Sequence, residues 1–320
     1  MLINEIPDDC LLKPVLCVKW SHLIAKRTKK VKYLIGKIQV LLMFHAHCHP
    51  FLNLTNLYFR SIAELSPGLH LKVEDAIEFV SKQESLKGLI SRYRKPIEKY
   101  CDQLEMLSVN HFNPNNLQNS SNIKQLDIWN YSLVDLRRDA HYLPNLERLK
   151  VEIDVPDNPY DGPVLEKLKI LEMAFRRPCH NIFYGFQFMD SCPNLQSAHI
   201  LMSANTSFFD ETLKHKCLQD LVFQFYGLDN ADDTWNYFKR LFKKFPNLKH
   251  LALRGHCIIT DEHIEQLVHI LPNLVLLDAV ESADYVKDYL ISRGFDFMKH
   301  CFRKDWIYVD LSCLLVPIDY

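Results

Sequence analysis

Glycine is scarce, at 8 of 320 residues, and neither G-x-G-x-x-G nor G-x-x-x-x-G-K occurs. A loop that cradles phosphate with its backbone is therefore not expected. Charge of one sign is also missing: the net charge is −1 and the pI is near 6.9. That balance argues against a generic nucleic-acid binder. The longest apolar run, VLLMF within residues 31–44, is far too short to cross a bilayer. The opening MLINEIPDDC has acids where a signal peptide needs bases and an apolar stretch. The ten cysteines are irregularly spaced and read as reduced thiols, which sets the expectation of a cytoplasmic or nuclear protein. Four Asn-x-Ser/Thr sequons, at Asn53, Asn119, Asn130 and Asn205, carry no meaning in such a compartment. Signatures of catalysis are lacking too: there is no G-x-S-x-G, no H-E-x-x-H and no paired-carboxylate signature. The chain is expected to be no enzyme and to need no cofactor.

What is present is a repeat. The hydrophobic fraction of 48% supplies a large core. Pro-Asn-Leu occurs four times, ending at Leu146, Leu195, Leu248 and Leu274. An apolar residue follows at +3 and +5 in "NLERLKV" and "NLKHLAL", with smaller residues in "NLQSAHI" and "NLVLLDA". The same L-x-x-L-x-L frame returns without Pro-Asn, so that eight frames start at 104, 123, 146, 168, 195, 218, 248 and 274. Their spacing runs from 19 to 30 residues, and a weaker ninth frame covers Leu54, Leu57 and Phe59.

Positions +3 and +5 are two residues apart, so in a strand both side chains point to one face. One short strand cannot bury that face alone. Stacked copies can, as a parallel sheet with return segments packed behind it. Two return segments read as amphipathic helices. One, "DDTWNYFKRLFKKF", puts Trp235, Phe238, Leu241, Phe242 and Phe245 on one stripe. The other, "TDEHIEQLVHIL", is capped by Thr260 or Asp261 and turns Ile264, Leu267, Val268 and Leu271 inward.

Over roughly residues 100–280 the chain resembles the leucine-rich-repeat family, best in "PNLKHLALRGHCIITDEHIEQLVHILPNL". Cys257 followed by Ile259, Thr260 and Asp261 resembles the cysteine-containing subclass, which often accompanies an F-box. With His256 beside it, Cys257 reads as a repeat feature and not as a nucleophile. The resemblance implies an α/β solenoid, a curved parallel sheet with helices on its convex side. The expected layout is a short helical, truncated F-box-like segment at 1–30, a linker with degenerate first repeats at 31–100, repeats at 101–298 and a cap at 299–320.

The segment "INEIPDDCLLKPVLCVKW" resembles an F-box with its centre removed. Ile6, Pro7, Asp8, Asp9, Leu11 and Leu12 match its opening helix, where a proline at the start and acids in the first turn are favourable in themselves. Leu16, Cys17, Trp20, Leu23 and Ile24 match its close. Only Lys13, Pro14, Val15 and Leu16 stand between the two ends, and Pro14 forbids one straight helix through them. The resemblance implies docking to a Skp-type adaptor and a cullin scaffold through Ile6, Pro7, Leu11, Leu12, Cys17 and Trp20. The other reading is a mere cap on the first repeat.

Two clusters have a bland and a sharp reading. His45, His47, Cys48 and His49 are metal-capable residues without a zinc spacing: a strand edge or loop, or a transition-metal site. Nine Lys or Arg and no acid fall between Cys10 and Ala63: a solvated helix face, or a contact for nucleic acid or an acidic protein. No aromatic-interleaved RNA or DNA module accompanies them, so a nucleic-acid partner is not expected.

Positions +2, +4 and +6 of each frame point away from the leucine face. They supply Gln125, Asp127, Trp129, Arg148, Lys150, Glu152, Glu172, His199, Asp220, Gln224, His250, Arg254 and Asp278. Mixed charge with an aromatic suits a protein ligand; the plain alternative is a solvated sheet face. With the resemblance, the expectation is a substrate-recognition subunit of a Skp–cullin–F-box ubiquitin ligase, and otherwise a stand-alone repeat scaffold.

Overall fold

The structure, a computed structural model, describes residues 33–36, 56–59, 73–81, 86–91, 96–101, 103–117, 119–153, 158–175, 182–202, 206–225, 231–255 and 260–279. The F-box-like residues Ile6, Pro7, Leu11, Leu12, Cys17 and Trp20 lie outside them, as do the cap at 299–320, the cluster around His45, and His256 with Cys257. The chain divides into two compact units, with a boundary between Ile123 and Lys124.

In the first unit, four strands pair side by side and all parallel: β1 (Tyr33–Gly36), β2 (Asn56–Phe59), β3 (Gly88–Ser91) and β4 (Met106–Val109). Helix α1 (Val73–Ser81) lies between β2 and β3 in sequence. β2 falls in the weak ninth frame. β3 was not expected: its frame runs Leu86, Leu89, Ser91, with a serine in the last apolar position, and all three are buried.

The second unit holds β5 (Gln125–Trp129), β6 (Arg148–Ile153), β7 (Ile170–Phe175), β9 (Ser197–Met202), β11 (Asp220–Phe225), β12 (His250–Gly255) and β13 (Leu276–Ala279). They pair in that order and every pairing is parallel. Each strand begins two residues after its frame leucine. Between them come short helices: α2 (Leu133–Asp139), α3 (Gly185–Met189), α4 (Ala231–Phe242) and α5 (Asp261–Ile270). Two-residue strands β8 (Ile182–Phe183) and β10 (Thr206–Ser207) form a separate parallel pair. The protein is thus an α/β protein with all-parallel sheet and interspersed short helices, as a repeat solenoid requires.

The coils share one hydrogen-bond device. The carbonyl of the residue after each frame leucine accepts two successive N–H groups from the next coil. Lys124, Glu147, Lys169, Gln196, Gln219 and Lys249 all do so, at 2.7–3.1 Å. Pro-Asn-Leu is a β-turn: the N–H of Leu146, Leu195, Leu248 and Leu274 donates to the carbonyl three residues back. Proline suits the second position of such a turn because its φ is preset.

Burial alternates along β6, β7 and β9, and the buried residues are the +3, +5 and +7 positions. Leu126, Leu149, Leu171, Ala198, Leu221, Leu251 and Leu277 form one buried row, in register. The helices cover this side. The ring of Phe223 in β11 meets Phe186 of α3 at 5.3 Å and Phe238 of α4 at 5.7 Å. Phe183–Phe186 and Phe238–Phe242 contacts at 5.4 and 5.5 Å extend the aromatic core. α4 ends at Phe242, so Phe245, expected on its stripe, is buried from the following turn instead. Thr260, not Asp261, is the N-cap of α5, and its side chain accepts from the His263 N–H. Ile264, Leu267 and Leu271 are buried as expected, while Val268 is half-buried.

Candidate partner-binding face

The strands of the second unit carry the +2, +4 and +6 residues on the face opposite the leucines. Strand register sorts them into three rows, with row neighbours about 4.8 Å apart because that is the spacing of paired strands. The first row runs Gln125, Arg148, Ile170, Ser197, Asp220, His250. Asp127, Lys150, Glu172, His199, Val222 and Ala252 make the second, which ends at Asp278. The third holds Trp129, Glu152, Ala174, Leu201, Gln224 and Arg254. Register thus brings together every residue the sequence proposed for this face.

Two ion pairs tie neighbouring strands. Arg148 Nη2 donates to Glu172 Oε1, from β6 to β7. His250 Nδ1 lies 2.5 Å from Asp220 Oδ1, from β12 to β11. The first pair is largely covered and the second is half exposed. Asp127 is fully buried, which is unusual for a carboxylate.

His199 occupies the middle of the face. Burial holds its imidazole below the ordinary histidine range, with Arg254 and Lys150 pushing the same way and Glu172 opposing them. Its Nε2 is buried and makes no hydrogen bond. Gln125 Oε1 and Arg148 Nε on the same face are in the same condition. Buried polar atoms without partners are costly, so an approaching chain that offers complementary groups gains by meeting them.

The candidates expected from sequence are all polar or aromatic, and apolar residues fill other slots of the same face, among them Ala174, Leu201, Val222 and Ala252. Ala174 pairs in register with Leu201 in the third row, and Val222 with Ala252 in the adjacent second row. They give the face a small apolar floor between charged margins, the layout of a protein interface with an apolar centre and polar rim. Their signal was available: they fill the +4 and +6 slots of successive frames.

A second polar cluster was not foreseen, and it lies off this face. Lys244 is wholly buried, and its ammonium donates to Asp190 Oδ1 at 2.9 Å and to the Asp210 carbonyl. His215 Nε2 reaches the same Asp190 oxygen at 2.8 Å. The cluster joins three segments 25 and 54 residues apart from Asp190 and so serves the fold. Among the described residues no group of three His, Cys, Asp or Glu could hold a metal, and no helix is long and apolar enough to cross a membrane. No protein-family model matches the chain, and no curated protein matches it.

Proposed function

We propose that this chain is the substrate-recognition subunit of a Skp–cullin–F-box ubiquitin ligase, and that it holds a target protein against the polar face of its repeat sheet. The coils are then leucine-rich repeats, and the truncated F-box-like segment docks the adaptor. The chain does no chemistry itself: it brings a target close to the ubiquitin-transfer machinery, in the cytoplasm or nucleus. The observation that carries the target-binding part is the set of three in-register rows, with an apolar floor at Ala174, Leu201, Val222 and Ala252 and unpartnered polar atoms on Gln125, Arg148 and His199. The resemblance of residues 6–24 to an F-box carries the adaptor part.

A second reading rests on one observation, the four residues Lys13 to Leu16 that stand where an F-box has its central helix. A docking domain shortened in this way loses much of its own core. The chain would then be a stand-alone repeat scaffold that binds its partner without a ligase. A pull-down with purified Skp-type adaptor separates the two. Capture by the native chain, lost in a Leu11→Ala, Leu12→Ala variant, supports the ligase reading. No capture by either chain leaves the scaffold.

A further inference from the structure

Away from the sheet face, the turns that precede β11, β12 and β13 enclose a cleft of about 290 Å³, lined by Lys216, Gln219, Asn247, Lys249 and Asn273. Every lining side chain is polar and none is acidic. The walls are fixed by the coil-to-coil bonds. Asn247 Nδ2 donates to the Lys216 carbonyl at 2.8 Å, and Asn273 Nδ2 to the Pro246 carbonyl at 3.1 Å. Lys249 Nζ donates to Gln219 Oε1 at 3.0 Å, while the Gln219 carbonyl takes the N–H groups of Lys249 and His250. These bonds leave donors over. Lys249 keeps two ammonium hydrogens, Gln219 keeps its amide NH2, and the Lys216 ammonium has no partner among the described residues.

The acids that flank Lys216 and Gln219 in sequence are engaged with other groups. Asp220 pairs with His250, and Glu211 with Arg240 at 2.5 Å. Asp210 accepts from the Thr212 hydroxyl at 2.7 Å and from its N–H at 2.8 Å. The repeat frame also shows that this set of residues is particular to these three turns. The equivalent set two coils earlier contains Glu166 in the place of Lys216, and the set three coils earlier contains Glu147 in the place of Gln219. Only here do two lysines meet amides with no carboxylate among them.

We infer that this cleft is an oxyanion site that takes a phosphate group. Lys216 and Lys249 supply the charge, and the side-chain amides of Gln219, Asn247 and Asn273 line the remainder. A phosphate monoester carries close to two negative charges at neutral pH, which two ammonium groups balance. Lysine is a compact point charge suited to phosphate, and such charge-assisted bonds are about twice as strong as neutral ones. The volume is well above the ~30 Å³ of one water molecule, so a phosphate with part of its parent molecule can enter. The site neither uses the polar sheet face nor depends on the ligase reading.

Calorimetric titration of the full chain tests it, with sodium phosphate against sodium acetate at matched ionic strength. Saturable one-to-one binding of phosphate but not acetate is expected. It should weaken about tenfold or more in Lys216→Gln, Lys249→Gln, since two charge-assisted contacts are lost. Lys214→Gln, an exposed lysine outside the cleft, should bind as the native chain does. All the changed side chains are exposed, so unchanged thermal unfolding without phosphate is expected, and the single variant Lys216→Ala stands in if the double one fails to fold. O-phosphoserine and a phosphoserine peptide distinguish the source. Tighter binding of the peptide identifies a phosphorylated side chain as the natural ligand, and equal binding identifies a small phosphorylated molecule. No saturable phosphate heat, equal heat with acetate, or equal loss in Lys214→Gln overturns the inference, as does an unaffected double variant.

Discussion

Asn247 gives its side-chain amide to the main-chain carbonyl of Lys216, 2.8 Å away and 31 residues earlier in the chain. Asn194 does the same to Glu166 at 2.8 Å, and Asn273 to Pro246 at 3.1 Å. At these three turns the asparagine of Pro-Asn-Leu therefore fastens its coil to an earlier one, at the point where proline has bent the chain. Asn247→Ala should lower stability by about 1 kcal/mol, the net value of one such bond at an exposed site. Asn247→Asp should cost at least as much, because a carboxylate cannot donate. Chemical denaturation of the three chains checks both.

Phe223 stands at the junction of the aromatic core, between Phe186 and Phe238. Phe223→Ala should cost about 3–5 kcal/mol, since the cavity is walled by rings that cannot collapse into it. Phe223→Leu should cost much less. A larger loss for leucine than for alanine in thermal unfolding would contradict this packing.

Lys244 is the most exacting residue of the unforeseen cluster. Lys244→Met leaves Asp190 buried with only His215 for a partner, and a destabilisation of about 3 kcal/mol or more is expected. Adding Asp190→Asn should recover part of it, because the uncompensated charge is then gone. Additive losses in a double-mutant cycle would show that the two side chains are not coupled.

Two buried groups set opposite pH responses. Burial raises the Glu98 carboxyl above its ordinary 4.5, so the folded state holds that proton more tightly than the unfolded chain. Stability then falls as pH rises from 4.5 through the folded value, and Glu98→Gln should remove that slope. Burial lowers His199 below 6.5, so below that pH the unfolded chain takes up a proton that the folded one refuses. Stability contributed by His199 is full above 6.5 and lost on acidification, and His199→Gln should flatten this acid limb. Urea unfolding at a series of pH values separates the two slopes.

The frame of apolar residues was legible because burial of one strand face obeys a period of two, and nothing else about the strand needs to be known. Leu149 and Val151 are buried while Arg148, Lys150 and Glu152 are not, as the frame demands. β3 escaped because Ser91 fills an apolar slot. The face was legible as a set of positions, but the pairing of Arg148 with Glu172 depends on rotamers. The Asp190–His215–Lys244 cluster was not legible at all. Lys244 looks like a solvated helix residue in "FKKF", and only the end of α4 at Phe242 turns it inward.

The most direct test joins the two halves of the proposal. The native chain and a Lys150→Glu, Arg254→Glu variant are each purified from cells, and adaptor and ubiquitin-modified companions are measured together. The account predicts equal adaptor in both and loss of the modified companions from the variant alone, because a reversed charge on the face repels the target without touching residues 6–24. Equal recovery of the companions with the variant, or no adaptor with either chain, would contradict it.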